Sequence, residues 1–126
     1  MTALGWLAFS IAAGSGATAR YLLSLVIQER VSANRPWGTF LVNAVGCLAA
    51  GVVAGFVIHH DLGVLPARVV AVGFLGSFTT FSTLAYETVR LAEEGEVWVA
   101  SINLMGSVLV GVTAAAGGLA LAAAIG

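Results

Sequence analysis

Long uncharged runs dominate the pattern of hydrophobic and polar positions along this chain. Residues 37–58 and 97–126 carry no charge, and residues 69–87 carry none before the last position. A helix needs about 20 apolar residues to cross a hydrocarbon core of about 30 Å. Residues 3–28 are equally apolar apart from Arg20, so the pattern predicts four membrane-spanning helices.

The composition agrees with this pattern. The chain has 126 residues, of which 60% are hydrophobic and 9% are charged, whereas soluble domains have about 25% charged residues. Charged and turn-forming residues are grouped at 29–36, 59–68 and 90–96, which leaves space only for short connections. We therefore expect an all-α membrane protein in which residues 1–126 form one four-helix transmembrane domain, with the lipid bilayer and not nucleic acid as its surroundings.

The arginines bear on orientation. Arg30, Arg35 and Arg90 fall on one side of the predicted bundle and Arg68 on the other, and the chain has no lysine. This is a weak bias under the positive-inside rule. A chain with so little bias can insert both ways, which would allow two copies to pack as an antiparallel, two-fold symmetric dimer.

Small and polar residues recur at intervals of four in the second and fourth predicted helices. Such stripes let helix backbones approach closely, and amides in lipid without partners are costly. The glycines fit either helix packing within the chain or packing between copies, and the two asparagines favour a solvated path. The stripes are Thr39, Asn43, Cys47, Gly51 and Gly55, and Asn103, Ser107 and Gly111.

The third predicted helix contains a polar and aromatic cluster at residues 73–84. Gly73 and Gly76 weaken a helix, and the hydroxyls of Ser77, Thr79 and Thr80 can divert backbone hydrogen bonds. A break near residues 76–80 is predicted, against the alternative of a straight helix whose small residues only pack. A break would free carbonyls for a cation and N–H groups for an anion. Beyond it, intervals of four place Thr79, Thr83 and Glu87 on one face.

Two charged residues within the predicted spans leave alternatives open. Arg20 either reaches the headgroups as an anchor or faces an aqueous vestibule that attracts anions. Glu87 is either an interfacial residue or part of such a vestibule.

The chemistry of an enzyme is not indicated. No nucleophile, base and orienting group share a face, and the chain has no glycine-rich phosphate loop. A small dual-topology multidrug exporter has a similar length and four spans, but it needs a carboxylate within the membrane. The first two predicted spans contain none.

Three segments resemble the small fluoride channels of the Fluc or CrcB family. Residues 73–83, Gly-Phe-Leu-Gly-Ser-Phe-Thr-Thr-Phe-Ser-Thr, resemble the third-helix signature of that family. Residues 14–21, Gly-Ser-Gly-Ala-Thr-Ala-Arg-Tyr, and residues 38–47, Gly-Thr-Phe-Leu-Val-Asn-Ala-Val-Gly-Cys, resemble its first and second helices. The three motifs follow in order and the resemblance covers nearly the whole chain.

The resemblance implies an antiparallel dual-topology homodimer in the cytoplasmic membrane, with two fluoride pores that export fluoride passively. It also implies a structural sodium ion at the dimer centre, held by the backbone carbonyls of Gly76 and Thr79 from both subunits. The residues that it assigns to the fluoride pore are Asn43, Phe81, Ser82, Thr83, Glu87 and Ser107. Asn103, at a position where the family varies, is a further pore candidate, and Arg20 is the vestibule candidate.

One position departs from the family pattern. Leu84 stands where the family usually has a second phenylalanine, so a two-ring fluoride site is incomplete here. Either the channel works with one ring per pore, or the chain is a non-conducting or partner-dependent subunit of a heterodimeric channel.

Overall fold

Every regular element of the described chain is helical. The computed structural model describes residues 1–31 and 35–125. Its helices are α1 (Ala3–Arg30), α2 (Trp37–His59), α3 (Val64–Ala67), a π-helical segment (Arg68–Leu75), α4 (Gly76–Phe78), α5 (Phe81–Glu93) and α6 (Val97–Ala124).

These elements make four stretches long and apolar enough to cross a membrane, which confirms the prediction of four spans. They are Ala3–Arg30, Trp37–His59, Val64–Glu93 and Val97–Ala124. We call Val64–Glu93, which comprises the elements from α3 to α5, the third span. The chain is therefore a multi-pass membrane protein.

The first and third spans are longer than their apolar runs suggested. Glu29 and Arg30 lie in α1, Arg68 begins the π-helical segment, and Arg90 lies in α5. Their expected placement in connections was wrong, because long charged side chains can reach the headgroups from the end of a helix. A helix therefore need not end at the first charge.

The closest helix packing joins α2 and α6. A Cβ added at Gly51 would overlap the carbonyl of Ala115, and one added at Gly118 would overlap the carbonyl of Leu48. A Cβ added at Gly55 would overlap the methyl group of Ala122. Gly111 lies against Cys47, Gly51 against Ala115 and Gly55 against Leu119, so α2 and α6 run parallel. The glycine stripe of α2 packs within the chain.

The third span packs against α1. A Cβ at Gly16 would overlap the carbonyl of Phe74, and the Ser77 hydroxyl donates to the carbonyl of Ala13 at 2.7 Å. Between these contacts and α3, the backbone follows a π-helix, in which the N–H of Gly76 bonds to the carbonyl of Ala71. The sequence did not predict this wider turn, which is a feature often found near functional sites.

Two extended residues separate α4 from α5. Thr79 has φ −81° and ψ 157°, and Thr80 has φ −147° and ψ 121°. Thr79 therefore does not share a helical face with Thr83 and Glu87, and the predicted ladder was wrong at this residue. Spacing of four places side chains on one face only within a continuous helix.

Candidate functional site

The extended pair in the third span is held by a side chain of α2. The Asn43 amide donates through Nδ2 to the carbonyl of Thr80, and the backbone N–H of Thr80 donates to Asn43 Oδ1, each at 2.8 Å. Both backbone groups of Thr80 are thus satisfied without a helix. Asn43 replaces the helical hydrogen bonds that the interruption removes. Unpaired backbone N–H and C=O groups would be costly at membrane depth.

The side chain of Thr80 begins the next helix. Its hydroxyl oxygen accepts from the N–H of Thr83 at 3.2 Å, as expected of a threonine at an N-cap. The same hydroxyl lies 3.0 Å from that of Thr83 and 3.3 Å from that of Ser82. Three hydroxyls therefore cluster at the amino end of α5.

The interruption also diverts two donors from carbonyls. In a continuous helix, the N–H of Thr80 would serve the carbonyl of Gly76, and that of Thr83 would serve Thr79. These N–H groups instead bond to Asn43 Oδ1 and to the Thr80 hydroxyl. The carbonyls of Gly76 and Thr79 thus lack their usual helical donors.

An open cavity of about 510 Å³ lies where α2, the third span and α6 meet, and we call it the central cavity. The ring of Phe81 stands at its edge with 73% of its surface exposed, whereas Leu84 is only 5% exposed. Among the residues that the structure describes, those that line the cavity are all uncharged. Its lining includes Asn43, Cys47, Gly76, Thr79, Thr80, Phe81, Leu84 and Ser107.

The hydroxyl of Ser107, a lining residue of the central cavity, is not hydrogen-bonded in the part of the chain that the structure describes. Its Oγ is buried and has no hydrogen-bond partner among residues 1–31 and 35–125. A serine within a helix commonly donates to the carbonyl four residues earlier, as Ser101 does to Val97. The Ser107 hydroxyl therefore has a free hydrogen-bonding capacity beside the cavity, which a rotation of its side chain would direct at a group that enters.

A second cavity, of about 310 Å³, lies between α1, α2 and α5, and we call it the side cavity. Arg20 and Ser24 of α1 line it together with Thr80 and Thr83. Thr80 borders both cavities. The structure thus places Arg20 on a space that reaches the interruption at Thr80, separate from the cavity that Phe81 lines.

The carboxylate of Glu87 lies beside the amino end of α2. The Thr39 hydroxyl donates to Glu87 Oε1 at 2.9 Å, while Oε2 is buried without a hydrogen-bond partner in the described part of the chain. Gln28 of α1 accepts from the N–H of Gly38 through Oε1 at 3.1 Å. Gln28 therefore fixes the turn of α2 that carries Thr39.

Asn103 lies apart from the other candidates. It is 7% exposed and donates through Nδ2 to the Thr88 hydroxyl at 3.0 Å. It lines a groove between α2 and α6 that shares no residue with the central cavity. The structure therefore brings Asn43, Phe81 and Ser107 to one cavity, places Thr83 and Arg20 on another, and sets Asn103 elsewhere.

A comparison with known families decides what kind of chain this is. Residues 7–119 match the family model described as CrcB-like protein, Camphor Resistance (CrcB). The chain belongs to the CrcB family. Membership removes the small multidrug exporter from the alternatives.

Individual CrcB-family relatives match over most of the chain. A fluoride-specific ion channel FluC 1 of Frankia casuarinae is 42% identical, with 97% of this chain and 98% of the relative aligned. A fluoride-specific ion channel FluC of Geotalea daltonii is 44% identical over 75% of this chain and 77% of the relative. That of Maridesulfovibrio salexigens is 40% identical over 88% and 90% respectively.

Thr80 has a larger part in the site of this CrcB-family chain than its sequence context predicted. Thr80 was predicted only as a hydroxyl that weakens the helix, yet its N–H, carbonyl and hydroxyl all bond at the interruption. A threonine directly before a new helical run is a typical N-cap, which was the available signal. The pairing of Thr39 with Glu87 joins residues 48 apart, and no local pattern predicts it.

Proposed function

We propose that this CrcB-family chain forms a passive channel selective for fluoride, which lets the ion leave the cell across the cytoplasmic membrane. The observation that carries the proposal is the pairing of Asn43 with Thr80 beside the exposed ring of Phe81, on one cavity. The relatives named above as fluoride-specific ion channels support the choice of ion. A channel needs no catalytic group, so the proposed function is not enzymatic.

The chemistry of the central cavity suits a small anion. Fluoride holds its hydration shell strongly, so a selective path must replace the water with other hydrogen-bond donors. The Asn43 amide has two N–H donors, of which one bonds to Thr80. The second, the Ser107 hydroxyl and the positive edge of the Phe81 ring can face the ion. Because all three are neutral, the ion can also leave.

The pore is completed by a second copy inserted in the opposite orientation. An aromatic ring that is 73% exposed and a cavity open on one side suggest a missing neighbour. The weak arginine bias allows both orientations. A two-fold symmetric antiparallel homodimer contains two such cavities, and so two pores.

The third span acts in this dimer as a broken membrane helix whose carbonyls bind sodium. The carbonyls of Gly76 and Thr79 lack their helical donors, and oxygen ligands suit a hard cation. No group of three or more His, Cys, Asp or Glu side chains in the described residues could serve as an alternative metal site. When bound, the ion would supply the positive charge that keeps carbonyls of two subunits together.

The side cavity is the entrance for the anion. Arg20 lines it with a positive charge, which raises the local concentration of anions. The hydroxyls of Ser82 and Thr83 then continue from Thr80 along α5. Glu87 lies farther along this helix, where the Thr39 hydroxyl holds its carboxylate.

Fluoride efflux from liposomes that contain only this chain tests the function, with chloride efflux as the control. We expect fluoride release well above the chloride background. Leu84 lines the central cavity without supplying a ring, which favours the alternative of a partner-dependent subunit. A flat fluoride trace from correctly inserted protein would support that alternative and contradict a homodimeric channel.

The role of Phe81 is tested by Phe81→Ile. We expect at least about a tenfold loss of fluoride efflux, because isoleucine has bulk but no positive ring edge. The matched control is Tyr86→Ile, which removes an exposed ring from the same helix but away from both cavities. Unchanged efflux in Phe81→Ile with an intact dimer would remove Phe81 from the pore.

A further inference from the structure

A third concave region of the protein is an apolar groove between the amino-terminal parts of α2 and α6. It has a volume of about 430 Å³, and we call it the α2–α6 groove. Trp37 and Phe40 line it from α2, and Val99, Ile102 and Val110 line it from α6. Gly106 lies between them and has open space where a Cβ would stand. The groove is therefore deepened by the absence of a side chain.

The length of the groove corresponds to one leaflet of a bilayer. Val99 and Val110 both line it, and eleven helical steps of 1.5 Å separate them by about 16 Å along α6. This is close to half of a hydrocarbon core of about 30 Å. The groove thus has the length and the lining for one acyl chain.

Opposite charges stand together at one end of the groove. Arg35 lines this end, and its Nη1 lies 3.1 Å from Glu96 Oε2, with both side chains about two-fifths exposed. Trp37, a residue type typical of the membrane interface, lies beside them. A guanidinium has five N–H donors, and the contact with Glu96 uses one. A phosphate can therefore bind Arg35 while an ammonium group binds Glu96.

The groove lies on the opposite side of α6 from the central cavity. At 3.6 residues per turn, Ile102, Gly106 and Val110 share one face. Val108 and Gly111, which line the central cavity, point almost the other way. The second copy in the proposed dimer covers the central cavity, so on that proposal the groove faces lipid.

We propose that the α2–α6 groove binds a zwitterionic aminophospholipid from the bilayer. One acyl chain lies along Phe40, Gly106 and Val110, the phosphate bonds to Arg35, and the ammonium group bonds to Glu96. The paired charges at the mouth select this headgroup over an anionic one that has a phosphate but no ammonium.

Native mass spectrometry of the full chain, titrated with phosphatidylethanolamine or phosphatidylglycerol, tests the groove. Gly106→Leu fills the groove, and we expect it to weaken binding of phosphatidylethanolamine by at least about fivefold. Gly117→Leu is the matched control, because Gly117 also has open space around it on α6 but lies outside the groove. Equal lipid retention by Gly106→Leu and the wild type would overturn the proposal.

The headgroup contacts are tested separately with variants at the mouth. Arg35→Gln should weaken the binding of both lipids by about fivefold, which corresponds to the loss of one charge-assisted hydrogen bond at a half-exposed site. Glu96→Gln should remove the preference for phosphatidylethanolamine and leave binding of phosphatidylglycerol unchanged. Wild-type protein without any preference between the two lipids would contradict the assigned headgroup.

The same spectra report the number of chains. If Gly106→Leu dissociates a dimer, the groove is an interface between copies and the lipid proposal fails. If the wild type is monomeric in every spectrum and still retains phosphatidylethanolamine, whereas Gly106→Leu does not, the lipid proposal holds and the proposed dimer fails. The two proposals are therefore distinguishable.

Discussion

The two halves of α2 have the same four-residue spacing but different roles, namely helix packing and hydrogen bonding. In the carboxyl half, Gly51 and Gly55 bring the backbone against α6. In the amino half, Thr39 and Asn43 extend hydrogen-bonding side chains to the third span. One stripe thus contains a packing surface that depends on missing side chains and a polar surface that depends on particular atoms.

The difference shows how one helix can supply both rigidity and a site. The contact of α2 with α6 is between backbones, which leaves little freedom for the helix to move. Asn43 is three turns from Gly55 on this fixed helix, so its amide stays positioned against Thr80. A donor that is held in place keeps its direction when an ion replaces water.

The largest expected effect is that of Gly51→Val, which disrupts the contact between the carboxyl half of α2 and α6. The new side chain would overlap the backbone of Ala115, which cannot move aside as a flexible side chain could. Overpacking costs about 1–3 kcal/mol and more when a backbone must shift. We expect at least about 3 kcal/mol of destabilisation, measured by thermal unfolding in detergent.

The control for this variant is Gly117→Val. Gly117 is also a glycine of a membrane-spanning helix, but in the described part of the chain no other helix comes within 4 Å of its added Cβ. Its unfolding transition should remain close to that of the wild type. Equal destabilisation by both variants would mean that β-branching alone, and not the contact with α6, causes the loss.

The fold was largely predictable because hydrophobic length is a local property. The four spans follow from uncharged runs, each of which is long enough for a bilayer. The glycine stripe also indicated close packing, although not whether α6 or a second copy would meet it. What local patterns did not predict is the π-helical segment, which packs along α1.

The second prediction concerns Asn43→Leu, which removes the polar side chain that joins the amino half of α2 to the third span. Leucine fills a similar volume but leaves the N–H and the carbonyl of Thr80 without their partners. Interhelical hydrogen bonds in membranes contribute about 0.6 kcal/mol on average and up to about 1.7 kcal/mol. We expect about 1–3 kcal/mol of destabilisation and at least a loss of about tenfold in fluoride efflux.

Val45→Leu is the control, because Val45 lies on the same helix with about half of its surface exposed. It should leave both unfolding and efflux unchanged. If Asn43→Leu retained wild-type efflux, the amide would serve the backbone of the third span only, and Asn43 would leave the list of pore donors.

The candidate site was predictable in its residue types but not in its partners. Asn43 and Phe81 were identified from motifs, and both line the central cavity. Asn103 is a candidate because it shares a four-residue stripe with Ser107, yet it bonds to Thr88 and lines a separate groove. The pairing of Asn43 with Thr80 is determined by how the helices pack. The two residues are 37 positions apart along the chain, and a contact over such a separation leaves no periodic pattern in the sequence.

The smallest expected effect is that of Thr39→Val, in the first turn of the amino half of α2. Valine keeps the shape of threonine but removes the hydroxyl that donates to Glu87 Oε1. We expect about 1 kcal/mol of destabilisation, as for one interhelical hydrogen bond, and a reduction of a few-fold in fluoride efflux. Thr113→Val is the matched control, because the exposed Thr113 hydroxyl donates only to the carbonyl of Leu109 in its own helix. If the two valine variants behaved alike, the bond between Thr39 and Glu87 would contribute nothing, and the amino half of α2 would act through Asn43 alone.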